Sequence, residues 1–119
     1  MRKNIFVLDD NDDIRAIIEE ILKEEQHEVS GFDTVESFRK GIQFAQPDLI
    51  ILDVMLTDGN GLDICDELKE NRRTQHIPII MMSANTIYSD AKKKCETEDF
   101  INKPFDIDDF VNRVNEQLY

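Results

Sequence analysis

The sequence is poor in the residues that build disulfide frameworks, zinc sites and linkers. Its 119 residues include two cysteines, two histidines, three prolines, four glycines and no tryptophan. Cys65 and Cys95 are isolated along the chain and both histidines lie far from them, so neither a disulfide framework nor a zinc site has the spacing it requires. We therefore predict that both cysteines are reduced, partly buried apolar residues.

Long hydrophobic runs are also missing. The longest, residues 49–52 and 77–82, are bounded by charged residues or proline and fall far short of the ~20 residues that cross a bilayer. Near the amino terminus, the apolar stretch 5–8 ends at two aspartates, which makes it too short for a signal peptide. We expect no membrane association and a cytoplasmic location.

Basic residues are scarce relative to acidic ones. Lysine and arginine total 14 against 26 acidic residues, which gives a formal net charge of −12. A surface of this sign repels a phosphate backbone and releases no counterions from it. We expect no direct contact with nucleic acid.

Short apolar segments alternate with segments of helical periodicity. The predicted strands are residues 4–8, 28–31, 48–52, 77–82 and 99–102. The first predicted helix carries an apolar stripe and has Asp12 or Asp13 as its N-cap; its stripe is Ile14, Ile17, Ile18, Ile21 and Leu22. Further helices are predicted at 34–45, 61–71 and 106–118, and a short or irregular one between residues 83 and 100. The pattern predicts an α/β fold, a doubly wound five-stranded parallel sheet with about five helices.

Functional side chains are predicted where the strands end, because functional groups of doubly wound sheets gather at the carboxyl ends of the strands. Asp9 and Asp10 follow the first strand, and Asp53, Ser83 and Lys103 follow the third, fourth and fifth. Singly, each could be a turn, capping or solvated residue; their joint occurrence favours a site. One lysine cannot neutralise three carboxylates, so a divalent cation completes the cluster. Ligands that are all oxygens suit Mg²⁺, which commonly shares its coordination with phosphate. The chemistry indicated is phosphoryl transfer.

Two other kinds of site match parts of this pattern. An EF-hand loop is matched at positions 1, 3, 5 and 12, but Ile14 stands where that loop needs glycine and a strand-like segment precedes it. The matching residues are Asp9, Asn11, Asp13 and Glu20. A flavin module of the same sheet class needs a phosphate-binding loop rich in glycine, serine or threonine after the first strand, where acids stand instead.

Four segments together make the sequence resemble a response-regulator receiver domain, the phosphoryl-accepting module of two-component signalling. They are FVLDDNDDIR at 6–15, DLIILDVML at 48–56, IPIIMMSA at 77–84 and FINKPF at 100–105. Their order and spacing are specific and cover essentially the whole chain. The resemblance implies a flavodoxin-like strand order, 2-1-3-4-5. It also implies a single receiver domain over residues 1–119, with no effector domain in this chain.

The resemblance implies roles for the residues at the strand ends. Asp53 would be the phosphoacceptor. Asp10 would hold Mg²⁺ directly and Asp9 largely through water. The backbone carbonyl of Met55 would be a further metal ligand.

A second group of residues would bind the phosphoryl group and respond to it. Ser83 would be the switch hydroxyl, Ala84 would offer its amide, and Lys103 would pair with a phosphoryl oxygen. The resemblance further implies a cis peptide between Lys103 and Pro104. Phe100 occupies the aromatic switch position.

The implied partners are a histidine kinase or phosphotransfer protein and an unknown downstream protein. The domain would be a signalling module, an enzyme only in catalysing its own phosphorylation and dephosphorylation, and a monomer or a phosphorylation-dependent dimer. The alternative is a metal-binding or constitutive interaction module of the same fold that is never phosphorylated. The complete set of acids, hydroxyl and lysine argues against that alternative.

The sequence departs from the family pattern in two places. Thr57 stands where the family usually has proline, and Gly59 replaces a usual apolar residue, which predicts a more flexible loop after Asp53. The connection from Ser83 to Lys103 is about two residues shorter than usual. Its residues 85–98 have little apolar surface for docking, so we expect them to be mobile and to set specificity.

Overall fold

The computed structural model describes residues 2–84 and 95–119. The strands are β1 (Asn4–Leu8), β2 (Glu28–Phe32), β3 (Leu49–Asp53), β4 (Met55–Leu56), β5 (Gly59–Asn60), β6 (Ile79–Ser83) and β7 (Asp99–Asn102). The helices are α1 (Asp12–Glu24), α2 (Val35–Gln43), α3 (Gly61–Glu70) and α4 (Ile107–Leu118). The short or irregular helix and the mobility predicted between residues 83 and 100 fall largely on residues 85–94, which lie outside the described residues.

Five strands form one parallel sheet in the order β2-β1-β3-β6-β7. Because β6 and β7 are the fourth and fifth strands predicted from the sequence, the order 2-1-3-4-5 is confirmed. The two-residue strands β4 and β5 form a separate antiparallel hairpin in the loop that follows β3. Every residue of β3 and β6 is buried, as expected for central strands covered on both faces.

Helices cover both faces of the sheet because side chains alternate along each strand. Phe6 and Leu8 pack in one core with α2 and α3, whereas Ile5 and Val7 pack in the other with α1 and α4. The apolar stripes predicted for the helices supply most of these core residues. Ile17 of the predicted α1 stripe is an exception, because it is 47% exposed. Among the described residues, no helix combines the length and the apolar character that a bilayer crossing requires.

Three strands, β2, β3 and β6, end one residue later than predicted. In the sheet register, Asp53 lies opposite Met82 and Ser83 lies opposite Asn102, so the ladder continues through both polar residues. β6 begins only after Pro78, which has no N–H to donate to a ladder. Asp53 and Ser83 are therefore the last residues of two buried strands.

The N-cap of α1 is Asn11, which corrects the assignment to Asp12 or Asp13. Asn11 has an extended backbone, and its side chain accepts the Ile14 N–H at 3.0 Å. Asp12 and Asp13 instead lie in the first helical turn, where the helix dipole favours negative charge. Asparagine is as good a cap as aspartate, so the sequence alone could not separate these neighbours.

The prediction that both cysteines are reduced is wrong. Cys65 of α3 and Cys95 form a disulfide with their Cα atoms 6.1 Å apart. They are 0% and 4% exposed, so they are also more deeply buried than predicted. Thirty positions separate them in sequence, and only the packing of α3 beside the segment that precedes β7 brings them together.

Candidate functional site

The carboxyl ends of β1 and β3 bring three aspartates into one cluster. Asp9 and Asp10 directly follow β1, and Asp53 ends the adjacent strand β3. One carboxylate oxygen from each lies within 4.8 Å of the others, close enough for a single metal ion. These are the three acids that the sequence predicted would converge.

Asp9 is the most buried member of the cluster, at 2% exposure. Its Oδ2 accepts a hydrogen bond from Lys103 Nζ at 2.8 Å, and its Oδ1 accepts the Asn11 N–H at 2.9 Å. Arg15 donates to the Asp9 backbone carbonyl at 2.8 Å. These contacts fix the turn between β1 and α1, so the acids keep a defined position.

The carboxyl group of Asp53 has a strongly shifted pKa. It is 8% exposed, and Lys103 Nζ lies 3.5 Å from its Oδ1. Burial, followed by repulsion from Asp9, raises the pKa of Asp53 to about 6 even though Lys103 opposes the shift. One lysine shared between two buried acids leaves a site that favours additional positive charge.

A cavity of about 380 Å³ opens over the cluster. Its lining joins the loop after β1, the end of β3, the residue after β6 and the residues after β7. The lining residues are Asp10, Asn11, Ile14, Asp53, Ala84, Lys103 and Pro104. Asp53 therefore faces a space that a small anionic group can enter, with Lys103 at its edge.

Most of the other residues singled out in the sequence lie beside the same edge of the sheet. Ser83 is 1% exposed at the end of β6, and its carbonyl accepts the Lys103 N–H at 3.0 Å. Ala84 follows it and lines the cavity. The peptide bond between Lys103 and Pro104 is cis. Phe100, by contrast, lies within β7, is 6% exposed and belongs to the core that also contains side chains of α2 and α3.

Sequence reasoning missed the contacts of the loop after Asp53. Thr57 Oγ1 donates to Asp10 Oδ2 at 2.6 Å, and Asp58 accepts the Val35 N–H at 2.9 Å. The loop expected to be flexible is therefore a hairpin hydrogen-bonded on both sides. A polar turn of this composition is common, so no local signal could have identified these distant partners.

Comparison with known proteins identifies the family. Residues 5–115 match the model of the response regulator receiver domain. The chain belongs to this family. Receiver domains are phosphoryl-accepting signalling modules of two-component systems, and this chain has their fold and a cluster of acids at the end of the sheet.

Several receiver domains are similar to this one. The transcriptional regulatory protein SpaR of Bacillus subtilis is 35% identical over 116 residues, which are 96% of this chain and 51% of SpaR. The response regulator TrrA of Thermotoga maritima, solved in complex with Mg²⁺ and BeF, is 26% identical, with a TM-score of 0.86 and coverage of 98% of this chain and 99% of TrrA.

A third relative shows the fold alone. The chemotaxis response regulator CheY4 of Vibrio cholerae is 20% identical, with a TM-score of 0.91 over 99% of this chain and 100% of that chain. The chain spans about half the length of curated relatives such as SpaR and MtrA of Mycolicibacterium smegmatis.

Proposed function

We propose that this receiver domain takes a phosphoryl group from a phosphohistidine of a kinase or phosphotransfer protein onto Asp53. The observation that carries the proposal is a buried aspartate that faces an open cavity between two further acids and a lysine. No other described cluster of three or more acids, histidines or cysteines could hold a metal ion. The proposal also takes residues 1–119 as a single receiver domain.

The acidic cluster fits Mg²⁺. Carboxylate oxygens are the ligands that this ion prefers, and it commonly shares its coordination with phosphate. Burial first, and then repulsion from Asp9, raises the pKa of Asp53 although Lys103 lowers it, so a further cation would be favoured beside these acids. Asp9, Asp10, Asp53 and the Met55 carbonyl would hold the ion, which when bound would offset the negative charge on the nucleophile and the phosphoryl oxygens.

The chain's own residues supply positioning and charge. The Asp53 carboxylate attacks phosphorus as the bond from phosphorus to the donor imidazole breaks. The second ring nitrogen of the phosphohistidine carries a proton, so the imidazole leaves as a neutral histidine and the other product is an acyl phosphate. Lys103 interacts with an equatorial phosphoryl oxygen. Its Nζ already lies 3.5 Å from Asp53 Oδ1, beside the position where that oxygen would arrive. Ser83 and the Ala84 amide bind the remaining oxygens.

Hydrolysis of the acyl phosphate resets the domain, so its only catalysis is of its own phosphorylation and dephosphorylation. Movement of Ser83 toward the phosphoryl group and of Phe100 behind it alters the surface that a downstream protein reads. The site suits a cytoplasmic domain that receives phosphoryl groups from a kinase. It acts as a monomer or as a phosphorylation-dependent dimer, and it does not bind nucleic acid itself.

The test is phosphorylation by acetyl phosphate with Mg²⁺, followed by intact-mass measurement. The wild type should gain one phosphoryl group that hydroxylamine removes, and the Asp53→Asn variant should gain none. Asp66→Asn, which removes an exposed acid from α3, is the matched control and should be labelled like the wild type. Equal labelling of Asp53→Asn would refute the assignment.

A further inference from the structure

The turn of the β4–β5 hairpin contacts the acidic cluster. Leu56 pairs with Gly59, so Thr57 and Asp58 form the two-residue connection between the strands. The Thr57 hydroxyl donates to Asp10 Oδ2 at 2.6 Å. The two residues are 47 positions apart, so this bond joins the loop after β3 to the loop after β1.

The next residue anchors the other side of the same turn. Asp58 Oδ1 accepts the Val35 N–H at 2.9 Å, and its Oδ2 accepts the Glu36 N–H at 3.4 Å. The hydrogen bond from Val35 is the main reason why the pKa of Asp58 is lowered. The amino end of α2 therefore holds the turn from one side while Asp10 holds it from the other.

We propose that Thr57 is a positioning residue of the Mg²⁺ site, whose hydroxyl orients the Asp10 carboxylate for the ion. The inference rests on the proposed function, because it concerns the same metal. It assigns a role to a side chain that touches neither the ion nor the phosphoryl group.

The physical reason is preorganisation of two ligand-bearing loops. Asp10 is only half-buried, so packing alone does not fix its side chain. The hydrogen bond from Thr57 restricts the rotamers of its carboxylate. A carboxylate has two oxygens, and Thr57 can hold Oδ2 while Oδ1 takes the cation. The same bond ties Asp10 to the loop that carries the Met55 carbonyl, so less ordering is needed when the ion binds.

The test is Mg²⁺ affinity, measured by calorimetry and by the amide chemical shifts of labelled protein. Thr57→Val replaces the hydroxyl with a methyl group of similar size and should weaken Mg²⁺ binding about tenfold, the low end of the effect of losing a partner of a metal ligand. Thr57→Ser keeps the hydroxyl and should restore most of the affinity. Asp58→Ala releases the turn from α2 and controls for general loosening of the hairpin.

The outcomes separate a positioning role from a structural one. Weakened binding in Thr57→Val, recovery in Thr57→Ser and a smaller loss in Asp58→Ala support the proposal. Unchanged or tighter binding by Thr57→Val overturns it, as does an equal loss in Asp58→Ala. A wild type that binds no Mg²⁺ would overturn the metal site of the proposed function as well, whereas normal wild-type binding with an unaffected valine variant overturns only the role of Thr57.

Discussion

The Asp53→Asn substitution should change how stability depends on pH. In the folded protein the pKa of Asp53 is raised from 3.8 to about 6, with burial as the first cause and Asp9 as the second. The folded state therefore binds the Asp53 proton more tightly than the unfolded state. Between pH 4 and pH 6 this makes the free energy of unfolding fall as the pH rises.

The size of the effect follows from the shift. A rise of about two pKa units, at about 1.4 kcal/mol per unit, is about 3 kcal/mol. Asparagine stays neutral and has nearly the same shape as aspartate. The free energy of unfolding of the variant therefore does not fall with rising pH on account of residue 53. The unfolded carboxyl is already partly ionised at pH 4, so the difference between variant and wild type should grow by about 2.5 kcal/mol from pH 4 to pH 7 in the absence of divalent cations.

Urea unfolding at a series of pH values, with a chelator present, measures this difference. Asp66→Asn controls for the loss of one negative charge from an acidic protein. Saturating Mg²⁺ should then stabilise the wild type, by about 2.7 kcal/mol at a hundredfold excess over its dissociation constant, and the variant by less. A difference between variant and wild type that stays constant from pH 4 to pH 7 would refute the electrostatic reasoning.

Two further predictions concern the framework of the site. Reduction of the Cys65–Cys95 disulfide should lower the free energy of unfolding by about 3–4 kcal/mol, because it opens a loop of 30 residues; equal urea midpoints with and without reductant would contradict this. Gly61→Ala should destabilise by about 1–3 kcal/mol, since a Cβ there overlaps the Asp53 backbone carbonyl. The control Gly59→Ala meets only the Val35 side chain, at 3.1 Å, and a larger loss in this control would refute the argument.

The sheet and the acids were predictable because their signals are local. Each apolar run is short and bounded by polar residues, and the rule for carboxyl ends of strands then places Asp9, Asp53 and Lys103 together. The disulfide and the bond from Thr57 to Asp10 were not predictable in this way. Their partners lie 30 and 47 positions apart, and only the assembled fold brings them into contact.

The position of Asp53 itself argues that the acid is kept for its chemistry. As the last residue of a strand that is buried throughout, it cannot move into solvent, and its neighbours Asp9 and Asp10 increase the cost of its charge. Asparagine would fill the same space without that cost. An ionisable group that lowers the stability of the folded state is expected where function requires it. Here the same burial that raises the pKa of Asp53 also keeps its carboxylate beside Lys103 and at the wall of the open cavity.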